Sequence, residues 1–261
     1  FSSKIIIFSS GTTGIKKAIA LSQKSLIYVT NQMRQKMNIK EKIFELVFLP
    51  LTQSFAFARM RFIFSTGGCM MLEPSEIRSD LALKNIIDNK VNSLGLTSGY
   101  FIIFYKFFKK YLTQTKHFLK TLEIGSDRLE VNYKKYLLHN FLNTKKFYHY
   151  GLSEASRSTL QILKKNTNLK SCGKKFCCNN ITILKNKNDS SGEILIKGKN
   201  LFSGYVNNQK IIKELKNDFL HTGDYGYIKN GNLFFTSRKD DIVNLGGKKV
   251  SCKEIENKIK K

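Results

Sequence analysis

The sequence has few acidic residues, and its basic residues are almost all lysine. The 261 residues include 45 Lys and Arg against 19 Asp and Glu, which gives a formal net charge of +26. Only seven of the 45 are arginine, the side chain that nucleic-acid-binding modules use for bidentate contacts. Lysines scattered along a whole chain are typical of a solvated surface, so the composition argues against a dedicated nucleic-acid-binding role. The charge would still attract an anionic small substrate.

Closely spaced cysteine pairs are also missing. No C-x-x-C pair occurs and the four histidines stand apart from the cysteines, so the pattern does not predict a zinc site. An odd number of cysteines in a chain of this size is typical of reduced thiols, and we expect a cytoplasmic protein. The cysteines are Cys69, Cys172, Cys177, Cys178 and Cys252.

Membrane-spanning and targeting segments are missing from the sequence as well. No apolar run approaches the roughly 20 residues that cross a bilayer. The longest candidate, GYFIIFYKFFKKYL (99–112), is interrupted by three lysines. It fits either a basic amphipathic helix at a membrane surface or a helix packed on a core, and the pattern favours the second. The sequence begins at Phe1 with no leader, and we interpret it as a fragment of a longer chain.

Apolar runs alternate with helical spacing over the first 163 residues. The run KIIIF (4–8) predicts a short buried strand, and Ser22 is the predicted N-cap of a helix that extends to about Met37. Alternating strands and helices are typical of an α/β fold with a largely parallel sheet. Further strands are predicted within 43–51, 67–74, 118–126 and 145–154, and a further helix within 79–91.

After residue 163 the pattern changes to short strands separated by Asn, Gly and Asp turns. This pattern predicts a small antiparallel β region, in which KNG before NLFF forms a hairpin turn. We therefore expect an α/β part (1–163), a small β subdomain (164–237), and a hinge with the start of a truncated C-terminal domain (238–261).

The stretch SSGTTGIKK, which follows the first predicted strand, has the composition of a loop that binds polyanions. Gly11 and Gly14 let the backbone approach a ligand, the neighbouring hydroxyls donate hydrogen bonds, and Lys16 and Lys17 add positive charge. The spacing is not that of a Walker A loop, because the glycines are too close and no Ser or Thr follows Lys17. Taken alone, the stretch fits a phosphate-binding loop and a flexible connection equally well.

Four further stretches follow in a fixed order: YHYGLSEAS (148–156), GEILIKGKNLFSGY (192–205), LHTGDYGYIKNGNLFFTSRKDD (220–241) and NLGGKKVSCKEIE (244–256). Together with SSGTTGIKK they resemble the motifs of the adenylate-forming (AMP-binding) enzymes, such as acyl-CoA synthetases and adenylation domains. The resemblance implies ATP-dependent activation of a small-molecule carboxylic acid, with Mg²⁺ as the metal. The acyl-adenylate would pass its acyl group to a thiol, either CoA or the pantetheine of a carrier protein.

The resemblance also implies which residues would contact the phosphates. Lys17 matches the lysine of the phosphate loop, Ser153 would approach the α-phosphate, and Glu154 would bind Mg²⁺. Taken alone, Glu154 would more simply be a carboxylate at a helix N-terminus. The residues expected to act in catalysis are Lys17, Thr12, Glu154 and Arg238. The loop residues that would hold the β- and γ-phosphates are Ser10, Gly11, Thr12, Thr13 and Gly14.

A second set of matching residues would surround the adenosine. Tyr150, followed by Gly151, would lie against adenine, and Gly125 belongs to a glycine turn that borders the adenine and acyl pockets. Asp224 would accept hydrogen bonds from both ribose hydroxyls, because a carboxylate offers only acceptors. Arg238 would reach the ribose or the phosphate side of the adenylate.

The segment LPLTQSF (49–55) resembles a family segment that gates the acyl substrate, and Gln53 occupies the gating position. Phe55, Phe57 and residues 97–104 would line the acyl pocket, although core packing is an equally good interpretation of these aromatic residues. Asp240 falls at the family's hinge. The matching glycines for thioester formation are Gly246 and Gly247.

The sequence departs from the family pattern inside the phosphate loop. Lys16 and Ala18 stand where the family has Pro and Gly, and Ser237 replaces a glycine. Three interpretations stay open at this point: an acid–thiol ligase, a non-catalytic adenylate-binding relative, and a basic protein that binds nucleic acid or a membrane surface.

Overall fold

The computed structural model describes residues 4–9, 17–74, 77–185, 190–208, 210–239, 242–245 and 248–251. Its strands are β1 (Lys4–Ser9), β2 (Lys17–Ser22), β3 (Phe44–Val47), β4 (Cys69–Leu72), β5 (Ser93–Thr97), β6 (Thr121–Gly125), β7 (Lys145–Tyr150), β8 (Thr159–Ile162), β9 (Gly173–Lys175), β10 (Asn180–Leu184), β11 (Gly192–Lys197), β12 (Gly204–Asn207), β13 (Lys210–Ile212), β14 (Leu220–Lys229), β15 (Asn232–Arg238), β16 (Ile242–Leu245) and β17 (Lys248–Ser251).

The helices connect the first strands of the large sheet. They are α1 (Gln23–Met37), α2 (Ser54–Ser65), α3 (Ser79–Asp88), α4 (Ser98–Phe107), α5 (Lys109–Gln114) and α6 (Val131–Asn140), with a 3₁₀ turn at Thr115–His117. The predicted N-cap of α1 is confirmed, because the Ser22 side chain accepts a 3.1 Å hydrogen bond from the backbone N–H of Ser25. Among the residues that the structure describes, no helix has the length and apolarity needed to cross a bilayer.

The large sheet has eleven strands in the order β10-β11-β14-β15-β9-β8-β7-β6-β5-β3-β4. Strands β3 to β7 pair in parallel, and β8 joins β7 in antiparallel orientation. The predicted α/β fold with a parallel sheet followed by antiparallel strands is thus confirmed. The antiparallel strands β8 to β11, β14 and β15 continue the parallel sheet instead of forming a sheet of their own, and the expected boundary near residue 163 lies just after β8.

The first predicted strand does not belong to the parallel sheet. Strand β1 pairs with β2 in a separate antiparallel sheet of order β1-β2-β12-β13. The prediction that it is a buried strand was wrong for most of its length: Ile7 is buried, whereas Ile6 and Phe8 are 50% and 58% exposed. A run of apolar residues indicates a strand, but its exposure depends on which segments cover it.

The topology brings the predicted site segments to one edge of the sheet. In parallel strands the carboxyl ends meet at the same edge, where ligands bind in open α/β sheets. Strand β6 ends at Gly125 and β7 ends at Tyr150, and the loop after β3 leads into α2.

Candidate active site

The predicted phosphate loop lies between two strands whose ends are paired. Ser9 at the end of β1 is opposite Lys17 at the start of β2. The five predicted phosphate ligands and Lys16 lie outside the described residues, as do Asp240 and the two glycines predicted for thioester formation. These residues are Ser10, Gly11, Thr12, Thr13, Gly14, Lys16, Asp240, Gly246 and Gly247.

Lys17 and Glu154, two of the predicted catalytic residues, meet at a tyrosine that sequence reasoning did not single out. The Tyr205 hydroxyl donates a 2.8 Å hydrogen bond to Oε1 of Glu154. The Lys17 ammonium lies 5.0 Å from the centroid of the same ring. Burial, and next the Glu154 charge, raise the pKa of the Tyr205 phenol, so the phenol stays protonated and acts as a donor. The available signal was the position of Tyr205 at the end of GEILIKGKNLFSGY.

Tyr150, Asp224 and Arg238 form a second group. The Tyr150 hydroxyl donates a 2.8 Å hydrogen bond to Oδ2 of Asp224. Arg238 is paired with Asp224 across β14 and β15, and its Nε lies 3.3 Å from Oδ1 of that carboxylate. Asp224 is 2% exposed, whereas the Arg238 side chain is 44% exposed. Burial, and then the Asp224 charge, raise the pKa of Tyr150 well above its ordinary value.

The turn that presents Asp224 is fixed by two residues of β11. Gly223 has a φ of +70°, which favours glycine. Its backbone N–H donates a 3.1 Å hydrogen bond to Oε1 of Glu193, and the Thr222 hydroxyl donates a 2.7 Å hydrogen bond to the carbonyl of Ile194. The backbone that leads into Asp224 is therefore held by β11 before any ligand contacts it.

The loop after β7 is closely packed. A Cβ on Gly151 would lie 2.5 Å from the backbone N of Arg157 and 3.1 Å from the carbonyl oxygen of Ala155. A larger residue there would therefore displace backbone atoms. Ser153, the predicted neighbour of the α-phosphate, lies with its Oγ 3.0 Å from Oγ of Ser54 at the start of α2. This contact joins the loop after β7 to the start of α2 at the same edge of the sheet.

Gly125 lies directly under the imidazole ring of His149. A Cβ at Gly125 would collide with that ring, which gives a physical reason for glycine at this position. The His149 ring is stacked on Phe55, with centroids 5.4 Å apart and an interplanar angle of 11°. Phe55 is itself buried, so its contacts favour the core-packing interpretation that the sequence left open. The predicted glycine turn and the predicted acyl-gating segment are therefore in contact through His149.

A buried network of charges supports this edge of the sheet. Glu123 is paired with Arg157 (Nε to Oε1, 2.9 Å) and Arg59 (Nη1 to Oε2, 2.7 Å), and Arg59 is also paired with Glu45. Nδ1 of His149 lies 3.0 Å from Oε1 of Glu123. The two arginines and the two carboxylates are each at most 2% exposed. Sequence reasoning missed all of them.

The network determines the protonation of its members. Burial alone would raise the pKa of Glu123, but the charges of Arg157 and Arg59 hold it well below its ordinary value. Burial lowers the pKa of His149 despite the nearby Glu123 carboxylate. The ring is therefore neutral near pH 7, whereas Glu123 is ionised.

Glu154 and its surroundings fit a magnesium ion that takes most of its ligands from phosphate oxygens and water instead of from protein side chains. Within the described ranges, no group of three or more His, Cys, Asp or Glu side chains could hold a metal ion. Glu154 supplies one hard carboxylate oxygen donor, and it contacts the same tyrosine as the Lys17 ammonium. Mg²⁺ commonly takes one or two protein carboxylates and completes its shell with phosphate oxygens and water. The donor chemistry therefore fits Mg²⁺ bound together with a nucleotide.

Curated CoA ligases are among the relatives of this chain. The sequence is 34% identical over 117 residues to the 2-succinylbenzoate–CoA ligase of Oceanobacillus iheyensis, an alignment that covers 42% of this chain and 24% of that protein. It is 25% identical to the human long-chain-fatty-acid–CoA ligase ACSBG2 along 98% of this chain and 46% of that protein. The chain thus spans less than half the length of these two relatives.

Solved structures support the fold. The o-succinylbenzoate CoA synthetase of Bacillus subtilis, in complex with ATP and magnesium, superposes with a TM-score of 0.81 at 21% identity, covering 97% of this chain and 54% of that one. ATP-bound MatB from Rhodopseudomonas palustris gives a TM-score of 0.82 at 20% identity, covering 97% and 52%. The model of the AMP-binding enzyme family matches residues 3–206. The chain therefore belongs to the AMP-binding enzyme family.

Proposed function

We propose that this chain carries the nucleotide-binding part of an enzyme that activates a carboxylic acid with ATP. A carboxylate oxygen attacks the α-phosphorus, the bond from that phosphorus to the bridging oxygen breaks, and pyrophosphate leaves. The product is an acyl-adenylate. A thiol, of CoA or of a carrier-protein pantetheine, then attacks the acyl carbonyl and releases AMP. The names of the curated relatives, which are CoA ligases, support this proposal.

The observation that carries the proposal is the contact between Tyr150 and Asp224. This contact brings a planar aromatic ring and an acceptor-only carboxylate together at the sheet edge where ligands bind. The two residues are 74 positions apart in the sequence. Asp224 accepts from the ribose hydroxyls, and the Tyr150 ring lies against the base. Arg238, whose guanidinium is partly exposed beside Asp224, extends toward the ribose or phosphate.

Lys17 and Glu154 take the phosphate side in this proposal. Glu154 would hold Mg²⁺, which supplies positive charge to the phosphate oxygens when it is bound. Lys17 supplies positive charge from the start of β2, shortly after the predicted phosphate ligands in the sequence. Positioning and charge neutralisation of this kind are the main contributions to phosphoryl and adenylyl transfer.

Two further proposals concern the division of the chain and the acceptor of the acyl group. The first is the division of the chain at residues 163 and 237 into an α/β part, a small β subdomain and a hinge region. The second is that a carrier protein is a possible acceptor partner besides CoA. Neither affects the assignment of the first half-reaction.

The direct test is ATP–pyrophosphate exchange catalysed by the full gene product with a panel of carboxylic acids. We expect ATP–pyrophosphate exchange with at least one carboxylic acid, and we expect the Asp224→Asn variant to lose this exchange. The departures at Lys16 and Ala18 favour a second candidate, a non-catalytic adenylate-binding relative. AMP binding without exchange for any acid would support that relative, and the absence of both AMP and ATP binding would overturn both candidates.

A further inference from the structure

The junction of α4 and α5 exposes apolar side chains beside lysines. Phe107 is 74% exposed, and Tyr111 and Ile103 are 44% and 39% exposed. Ile103 and Phe107 are four residues apart in α4, which places them on one side of that helix, and Tyr111 lies in α5, beyond the break at Phe108. The exposed lysines that alternate with them are Lys106, Lys109 and Lys110.

The opposite side of the same segment is firmly buried. Phe101, Phe104 and Leu112 are at most 1% exposed and belong to the hydrophobic core. The predicted packing of this stretch on a core is therefore confirmed for one side. These buried contacts orient the two helices, so that Ile103, Phe107 and Tyr111 remain on the outer surface.

The segment that contains this junction carries only positive charge, and the nearest acidic residues in space include those of the neighbouring helix α3, Asp80 and Asp88. No Asp or Glu occurs from residue 89 to residue 122, a segment that contains six lysines and no arginine. Lys109, Lys110, Lys116 and His117 line one shallow cleft at α5 and the 3₁₀ turn that follows it. The Lys109 ammonium lies 5.0 Å from the ring centroid of Tyr105. This surface is complementary to an anionic partner.

We propose that the junction of α4 and α5 docks on the surface of an anionic lipid bilayer. Phe107, Tyr111 and Ile103 enter the boundary between headgroups and acyl chains, while the lysines contact lipid phosphates and carboxylates. Exposed apolar side chains favour a bilayer over a nucleic acid, because they need an apolar medium to be removed from water. Segments that recognise nucleic acids also rely on arginine, which is missing here. This docking goes beyond the proposed function and requires no nucleotide.

The test is co-sedimentation of the full chain with vesicles of phosphatidylcholine alone or mixed with phosphatidylserine. We expect binding to the mixed vesicles that weakens as salt rises. The variant Lys106→Glu/Lys109→Glu/Lys110→Glu should bind at least about 100-fold more weakly, since each of the three lysines contributes about fivefold to the attraction. The variant Phe107→Ser should also weaken binding.

Two matched controls separate this surface from the overall charge of the protein. Lys164, Lys165 and Lys170 are exposed lysines outside the junction, and Lys164→Glu/Lys165→Glu/Lys170→Glu changes the net charge equally. Ile228, 43% exposed in β14, is the control for Phe107 through Ile228→Ser. Both controls should bind like the unaltered chain. Equal losses in the controls, no binding to mixed vesicles, or retention by an oligonucleotide instead of vesicles would each overturn the proposal.

Discussion

The hydroxyl of Tyr150 donates a 2.8 Å hydrogen bond to Asp224, and this bond joins the end of β7 to β14 across the large sheet. Both side chains are oriented by the protein itself. Asp224 is 2% exposed, and Arg238 lies beside it on the neighbouring strand. A ligand that donates to this carboxylate would find its acceptor already in position, which reduces the entropy cost of binding.

The first prediction concerns the two partners of this bond. Asp224→Ala should weaken AMP binding by about 2–4 kcal/mol, because charge-assisted hydrogen bonds to the ribose are lost. Tyr150→Phe keeps the ring and should cost only about 1 kcal/mol, since Asp224 retains Arg238. Isothermal titration calorimetry with AMP measures both. An unchanged AMP affinity in Asp224→Ala would refute the ribose assignment.

The second prediction concerns Tyr205, whose hydroxyl donates to the carboxylate of Glu154. Bound Mg²⁺ would compete with this donor for Glu154. Tyr205→Phe should therefore lower the Mg²⁺ concentration needed for half-maximal ATP binding by up to about tenfold, which corresponds to ~1.4 kcal/mol, near the lower end for a hydrogen bond to a charged group.

The measurement is ATP affinity by calorimetry across a series of Mg²⁺ concentrations. Tyr227→Phe is the control, because Tyr227 stacks on Phe234 in the β14–β15 hairpin. It should leave the Mg²⁺ dependence unchanged. A Tyr205→Phe curve that superposes on that of the unaltered chain would mean that Tyr205 and the metal do not compete for Glu154.

The order of the local motifs along the chain predicts which residues would surround a nucleotide, and that assignment stays a prediction. Tyr150, Asp224 and Arg238 come from different segments, and the fold brings them together as the resemblance implied. The pairing of Asp224 with Arg238 follows from the register of β14 and β15, which a motif does not contain. The cytoplasmic location expected from the cysteines stays a prediction. The free thiols in the structure are Cys69, Cys172, Cys177 and Cys178.

The buried charges could not be predicted from local pattern. Arg59 lies in helix α2, SFAFARMRFIFS, which also contains Arg61. The sequence alone does not indicate which of these two arginines is buried. The partners of Arg59, Glu45 and Glu123, are 14 and 64 residues away, so no short window contains a pair. A charged residue in a strand or helix is usually exposed, and only the tertiary arrangement shows that this one is not.

The third prediction concerns Glu123, which pairs with both buried arginines. Glu123→Gln should lower the free energy of unfolding by about 3–5 kcal/mol, because Arg157 would lose its buried carboxylate partner and Arg59 would keep only Glu45. Urea denaturation measures the loss. The control is Asp80→Asn, which breaks a pair with Arg78 whose side chains are 32% and 76% exposed. Exposed pairs contribute about 0–1 kcal/mol, and a loss at Glu123 no larger than that would contradict the structural role of the network.

The fourth prediction concerns the pH dependence that His149 confers. Burial lowers the pKa of the folded-state imidazole, and Arg157 and Arg59 act in the same direction, whereas Glu123 opposes them. An unfolded histidine titrates near pH 6.5. Below that pH the unfolded state binds a proton that the folded state does not, so stability falls as the pH decreases. The loss should approach about 1.4 kcal/mol per pH unit between the two pKa values.

Urea denaturation from about pH 7.5 to about pH 5.5 covers the range of histidine titration, because free carboxyl groups titrate lower, near pH 4. His149→Gln should be less stable at the upper pH, since it alters a ring packed between Gly125 and Phe55. It should nevertheless lose less stability on acidification than the unaltered chain. His139→Gln, at an exposed histidine of α6, should keep the original slope. Equal slopes in all three proteins would mean that His149 takes up a proton in the folded state, contrary to its burial beside two arginines.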